Sequence, residues 1–191
     1  MRKKDASNGE NAWHNLVLIG STGRNAGKTT LAIALIKKLR EQGRPVNAAK
    51  VITVERKGAL CPRGGQGCGA CSLESDFVLC EEYEAATGKD TSQLLAAGAA
   101  QVFLLRSLKQ ALPAALAALR EKAGSALLIV ESNSLRTVTK PALFVMLANN
   151  EAAPKPSARA VMQSADITVN APFTQAHLDA VFTRLPQAEA E

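Results

Sequence analysis

The segment Gly20-Ser21-Thr22-Gly23-Arg24-Asn25-Ala26-Gly27-Lys28-Thr29-Thr30 orders glycines, a lysine and hydroxyls as a phosphate-holding turn requires. Successive backbone N–H groups of such a turn can face inward on phosphate oxygens. The helix that follows adds the positive end of its dipole. Lys28 is expected to reach the β- and γ-phosphates of a nucleotide, and the Thr29 hydroxyl to ligate Mg²⁺. Gly23, Arg24, Asn25, Ala26, Gly27 and Thr30 complete the candidate nucleotide-binding segment. Its flanks agree. Leu16-Val17-Leu18-Ile19 is an apolar run before it, and Leu31 to Leu39 reads as a helix after it. Strand, glycine loop and helix in that order form the phosphate-binding loop of nucleotide hydrolases. One position departs from the pattern: Thr22 stands where the first glycine is wanted, between Gly20 and Gly23. Either Thr22 takes that place, or Gly20 does and the loop is two residues longer. The plain alternative is a glycine turn followed by a chance Gly-Lys-Thr.

Other residues could complete the chemistry. Glu131 closes the apolar run Ala126-Leu127-Leu128-Ile129-Val130. An acid at the C-terminal end of such a strand can hold the Mg²⁺ shell or orient the attacking water. The alternative is a solvent-facing turn residue. Lys50, at the end of the second expected strand, is either a ligand for an anion or an ordinary surface lysine. Asn149-Asn150 could read a base or simply form a turn. The sequence contains no Asn-Lys-x-Asp, so guanine specificity has no direct support.

The cysteines follow the pattern Cys61-x6-Cys68-x2-Cys71-x8-Cys80. Four thiols so close together, in a glycine-rich stretch, suit a tetrahedral sulfur site. Zinc is the simplest occupant, an iron–sulfur cluster the next, and a redox dithiol at Cys68 and Cys71 a third reading. Four unrelated thiols remain the bland one. Cys80 is set apart because it falls beyond the loop, where a helix is expected. His14 and His177, the only histidines, are far from this cluster in sequence.

These groups need a scaffold. The chain has 191 residues, 47% of them hydrophobic, which suits one domain with a substantial core. Residues 1–14 read as a flexible tail, 15–185 as the folded domain, and 186–191 as a second tail. Within the domain, 54–80 reads as a cysteine-rich insertion. Expected strands are Leu16–Gly20, Pro45–Ile52, Gln101–Leu105, Ala126–Val130, Leu143–Leu147 and Ile167–Val169. Expected helices run from the glycine loop to Gln42, in part of Glu81–Ala97, and over Ser107–Ala123, Pro156–Ser164 and Thr174–Leu185. This alternation gives a three-layer α/β fold on a mostly parallel sheet, here of the phosphate-loop NTPase type. Aromatic residues are only 4%, which argues against a base-stacking nucleic-acid platform. Net charge is +6, three of it in Arg2, Lys3 and Lys4. No apolar run approaches the roughly 20 residues that cross a bilayer. No signal-peptide core follows the basic start. A cytoplasmic protein without a membrane partner is expected.

The segment Gly88-Lys89-Asp90-Thr91-Ser92 through Ala97-Gly98-Ala99 resembles the Gly-Lys-Asp-Ser…Ala-Gly-Ala segment of the molybdopterin-guanine dinucleotide biosynthesis protein B family. Gly27-Lys28-Thr29-Thr30-Leu31 is similar to its phosphate loop, and Val130-Glu131 to its Val-Glu-Gly. The resemblance runs in order from about Leu16 to Val169. It implies a GTP-binding, usually dimeric protein accessory to molybdenum cofactor maturation, with Asp90 near the active edge. The chain departs from that family twice. Lys50 lacks the histidines of the family's Lys-His-x-His-His stretch, and Ser132-Asn133-Ser134 replaces its glycine. The expected function is therefore a Mg²⁺-dependent NTPase, using GTP or ATP, that serves molybdenum or another metal cofactor. Lys28, Glu131 and Asp90 are its candidate catalytic residues. Thr29 and Glu131 are the Mg²⁺ ligands, and Cys61, Cys68, Cys71 and Cys80 hold zinc or an iron–sulfur cluster. The expected partners are nucleotide, a cofactor-biosynthesis or metalloenzyme client, and a second copy of the chain. A small-molecule kinase or ATP-dependent ligase is one alternative. A non-catalytic, nucleotide-gated adaptor is another.

Thiolate ligation orders the segment it closes. Anaerobically purified protein should carry zinc or iron and resist limited proteolysis. The Cys68→Ser/Cys71→Ser variant should lose both properties. Metal-free parent protein with an unchanged digestion pattern would reduce the cysteines to ordinary thiols.

Overall fold

A computed structural model of the chain describes residues 11–54, 73, 75–149 and 153–187. Among these residues seven strands form one sheet: β1 (Ala12–Ser21), β2 (Val46–Val54), β3 (Phe77–Glu81), β4 (Val102–Leu108), β5 (Leu127–Glu131), β6 (Lys140–Ala148) and β7 (Ile167–Asn170). Their order is β3-β4-β2-β5-β1-β6-β7, and every pairing is parallel except β3 with β4. The helices are α1 (Lys28–Glu41), α2 (Asp90–Ala96), α3 (Leu112–Ala123), α4 (Pro156–Arg159) and α5 (Gln175–Phe182).

The central strand shows why the sheet must be covered on both sides. In β1, Val17 and Ile19 face one core while Leu16 and Leu18 face the other, and all four are fully buried. Continuous apolar strands of this kind belong to parallel sheets sandwiched by helices. Leu31, Leu35 and Leu39 of α1, Leu94 of α2, and Leu178 and Val181 of α5 close the first core. Leu112, Ala115 and Leu119 of α3 close the second. The chain is thus α/β, with helices on both faces of a seven-stranded, mostly parallel sheet.

Several elements differ from the sequence reading. β1 begins at Ala12, inside the stretch expected to be a tail, because Trp13 is buried and Arg120 lies against its ring. β2 continues to Val54, which puts Lys50 in the interior of the strand instead of at its end. Phe77–Glu81, read as loop and helix start, is an edge strand that runs antiparallel to β4. Cys80 lies on that strand, not on a helix. Ser107 and Leu108 finish β4, and a 3-10 turn at Lys109–Ala111 delays α3 to Leu112. Pro113 sits in the first turn of α3, where its missing N–H costs nothing. The expected helix at Pro156–Ser164 is a single α turn, α4, followed by a 3-10 turn at Met162–Ser164. Among the described residues, no helix is long and apolar enough to cross a membrane.

Gly20 lies within β1, so the loop opens at Thr22. Its hydrogen side chain is required by packing. A Cβ there would lie 2.8 Å from Asn133 Oδ1, 2.9 Å from the Phe144 ring and 3.1 Å from Met146 Cε. Gly20→Ala should therefore lower the unfolding free energy by about 2 kcal/mol in urea denaturation, the usual scale of overpacking. An unchanged midpoint would mean that the three neighbours can move aside.

Candidate functional site

Parallel α/β sheets place ligands outside the C-terminal ends of their strands. The residues singled out in the sequence meet at that edge. Thr22–Gly27 links β1 to α1. Thr22 is buried and tied to β6: its N–H donates to Leu147 O (2.9 Å), and its hydroxyl accepts from Asn149 N (2.8 Å). Asn25 and Gly27 both take positive φ, 54° and 85°. Turns that mix left- and right-handed residues curl backbone N–H groups into an anion-binding concavity. Gly23 lies against the Asn149 side chain, with room for a Cβ at 3.6 Å. Arg24 and Thr30 are exposed, and Ala26 is buried under the loop.

The start of α1 is unusual in what it lacks. Its N-cap is Gly27, which offers no side chain, and no acidic residue stands in its first turn. The first amides of a helix have no intrahelical acceptor. At α5 the equivalent amides meet a capping box made by Thr174 and His177. At α1 the first turn instead presents Lys28 and Thr29 to the strand edge, an end suited to an external anion.

Lys28 folds back, and its Nζ donates to Ser21 Oγ at 3.0 Å. The Thr29 hydroxyl donates to Glu131 Oε2 at 3.0 Å. Glu131 is only 3% exposed, and its second oxygen, Oε1, is buried without a hydrogen-bond partner. Burial raises the Glu131 pKa above the ordinary carboxylate value, against the opposing pull of Lys50, the Thr29 hydroxyl and Lys28. The solvent-facing turn residue is thereby excluded. Thr29 Oγ1 and the Glu131 carboxylate, with its unpartnered Oε1, are the kind of hard oxygen donors that Mg²⁺ prefers.

Lys50 stands beside Glu131 in the β2–β5 register and forms an ion pair with Asp90, the first residue of α2. Asp90 therefore reaches the same edge, one ion pair away from Glu131. The cysteine cluster lies outside the described residues except for one member. Cys80 is exposed on β3, and Cys61, Cys68 and Cys71 lie outside those residues. Among the described residues, no group of three or more His, Cys, Asp or Glu is placed to hold a metal ion. Asn149 follows β6, and Asn150 lies outside the described residues.

Sequence reasoning missed three residues. Asn133 clamps the end of β1: Ser21 N donates to its Oδ1 (2.9 Å), and its Nδ2 donates to Ser21 O (3.0 Å). Ser21 accepts Lys28, and Lys155 reaches the same hydroxyl from beyond β6. Asn133 stands two residues after Glu131, in the segment that departs from the resembled family. That departure was the available signal. No family model, curated protein or solved structure matches this chain.

The raised pKa of Glu131 has a consequence for stability. Below the unfolded-state value, near pH 4, the carboxyl is protonated in both states and burial carries no charge penalty. As pH rises, the unfolded chain ionises first, so this group's contribution to stability falls until the folded carboxyl also ionises. Glu131→Gln removes that titration. The stability difference between variant and parent, measured by urea unfolding without ligand, should move in the variant's favour from about pH 4 to neutrality. A difference independent of pH would contradict the raised value.

Proposed function

We propose that this edge binds the phosphates of GTP or ATP with Mg²⁺, and that the protein is a phosphate-loop NTPase. The observation that supports it most is the N-terminus of α1. It has no capping side chain and no acid, it follows a turn with positive φ at Asn25 and Gly27, and its Lys28 and Thr29 reach Ser21 and the buried Glu131. In this reading the loop amides and Lys28 balance charge on the transferring phosphoryl group, the main source of rate enhancement in phosphoryl transfer. Thr29 and Glu131 hold Mg²⁺, which when bound neutralises charge on the β- and γ-oxygens. Glu131 also supplies a carboxylate whose proton affinity is raised by burial.

The biological setting rests on the resemblance to the molybdopterin-guanine dinucleotide biosynthesis protein B family. We infer an accessory role in maturation or insertion of a molybdenum or other metal cofactor, in the cytoplasm, as a homodimer acting with a client protein. The four cysteines would hold zinc or an iron–sulfur cluster in that role. A second reading, a small-molecule kinase or ATP-dependent ligase, draws support from the Lys50–Asp90 pair beside Glu131, which could engage an acceptor.

Lys28→Ala is the direct test. Its side chain lies at the strand edge, outside both core clusters, so the fold should survive while a charge-assisted contact to phosphate is lost. Calorimetry with ATP and GTP in Mg²⁺ should show binding by the parent and at least a hundredfold loss in the variant, about 3 kcal/mol. Equal binding by both proteins would remove the loop from the nucleotide site. Phosphorylated acceptor in place of free phosphate would select the kinase reading.

A further inference from the structure

Lys155 stands outside the glycine loop, 127 residues after Lys28, in the connection from β6 to α4. Its backbone is fixed on both sides. Its N–H donates to Thr22 O at 2.9 Å, and its carbonyl accepts from Ala158 N (2.9 Å) and Arg159 N (3.1 Å). The side chain is directed back along the loop, where Nζ donates to Ser21 Oγ at 3.4 Å. Lys28 Nζ donates to that same oxygen at 3.0 Å. The Ser21 hydroxyl is buried and spends its own proton on Gly23 O, at 2.8 Å. It can therefore only accept from the two lysines. The ammonium groups are no farther apart than the sum of their distances to one oxygen. They arrive from different elements, α1 and the β6–α4 connection.

Two ammonium groups approaching one neutral hydroxyl repel each other. An anion set between them is attracted to both, and the two attractions outweigh the repulsion. The common acceptor also fixes which part of a ligand is involved. The loop lysine reaches the β- and γ-phosphates, so a lysine that shares its resting partner is at the same end of the chain.

We propose that Lys155 is a second phosphate-contacting lysine of this site, which grips the β/γ end of a polyphosphate from the flank of β1 opposite to Glu131. β1 is flanked by β5, which carries Glu131, and by β6, which leads to Lys155. The terminal phosphates would then have the Mg²⁺ ligands on one flank and an ammonium group on the other. This deepens the nucleotide reading and rests on it for the identity of the ligand.

The test compares parent, Lys28→Ala, Lys155→Met and Lys155→Arg proteins. Each is titrated with a non-hydrolysable ATP or GTP analogue, with the matching monophosphate, and with inorganic tripolyphosphate. Lys155→Met should weaken the triphosphate analogue and tripolyphosphate by tenfold or more, leave the monophosphate within threefold of the parent, and keep the parent's melting temperature. Lys155→Arg should recover most of the loss, since it restores charge at the same place. A merely structural lysine would change all ligands alike or lower the melting temperature. Triphosphate binding that needs Lys28 but is unchanged in Lys155→Met overturns this proposal and leaves the NTPase reading standing. Tripolyphosphate binding that needs both lysines, with no preference for a nucleotide, sustains Lys155 and overturns the NTPase reading. A parent protein that binds none of the three overturns both.

Discussion

The structure depends on how β1 is held where its ladder with β5 ends. The register runs to Ile19 opposite Glu131, and Ser132 N then donates to Ile19 O at 3.1 Å. The next unit that needs partners is Ser21, which is buried. The Asn133 side chain supplies both of them. Its amide gives one acceptor and one donor to Ser21, as a neighbouring strand would. Ser21 therefore stays extended, and the chain turns only at Thr22. Buried backbone groups left unpaired cost about 1–3 kcal/mol each, so the clamp is a condition for the loop to start where it does. It also places Ser21 Oγ, on which Lys28 rests, and it explains why Gly20, facing Asn133, Phe144 and Met146, has no room for a Cβ.

On this frame the electrostatics of the edge are built from groups that cost the fold stability. Glu131 is buried, with one oxygen unsatisfied, although an apolar residue there would avoid the desolvation. α1 begins without a cap, although α5 shows that this chain can supply one. Perturbed acids and uncapped helix ends at a strand edge are the features expected where a charged ligand completes the site. Stability elsewhere comes from two apolar cores filled by regularly spaced leucines, alanines and valines.

The periodicity of those residues made the sheet legible. The buried runs before Ser21 and through Val130 stand out because both faces are covered, and α1 stands out by its apolar spacing. The loop and Glu131 were legible because their residue types are few and their order is strict. β3 was missed although Phe77-Val78-Leu79 favours a strand, because the run directly follows the polar, glycine-rich stretch and reads as part of it; its antiparallel pairing with β4 makes it the sheet's edge. The short α4 was overread, because helix-compatible residues continue from Pro156 to Ser164 while the α turn stops at Arg159 and a 3-10 turn follows at Met162–Ser164. Asn133, Ser21 and Lys155 were missed for a different reason. Their roles depend on contacts between residues 112 and 134 positions apart, and no local pattern records those.

β3 also bears on the cysteine segment. Leu108, the last residue of β4, has Val54 as its register partner in β2, and its N–H donates to Asp76 O at 2.8 Å on the opposite side. The chain thus leaves the sheet and rejoins it at two points that flank one residue, roughly 10 Å apart by the usual strand spacing. The ends of the intervening stretch are brought together by the sheet, whatever its length. Closure entropy grows only with the logarithm of loop length, about 0.6 kcal/mol per doubling. The fold therefore sets only a weak limit on the length of chain between Val54 and Asp76, while Leu73 within it is buried. Insertions or deletions there change the length to be closed, not the two ends that β2 and β3 present to it.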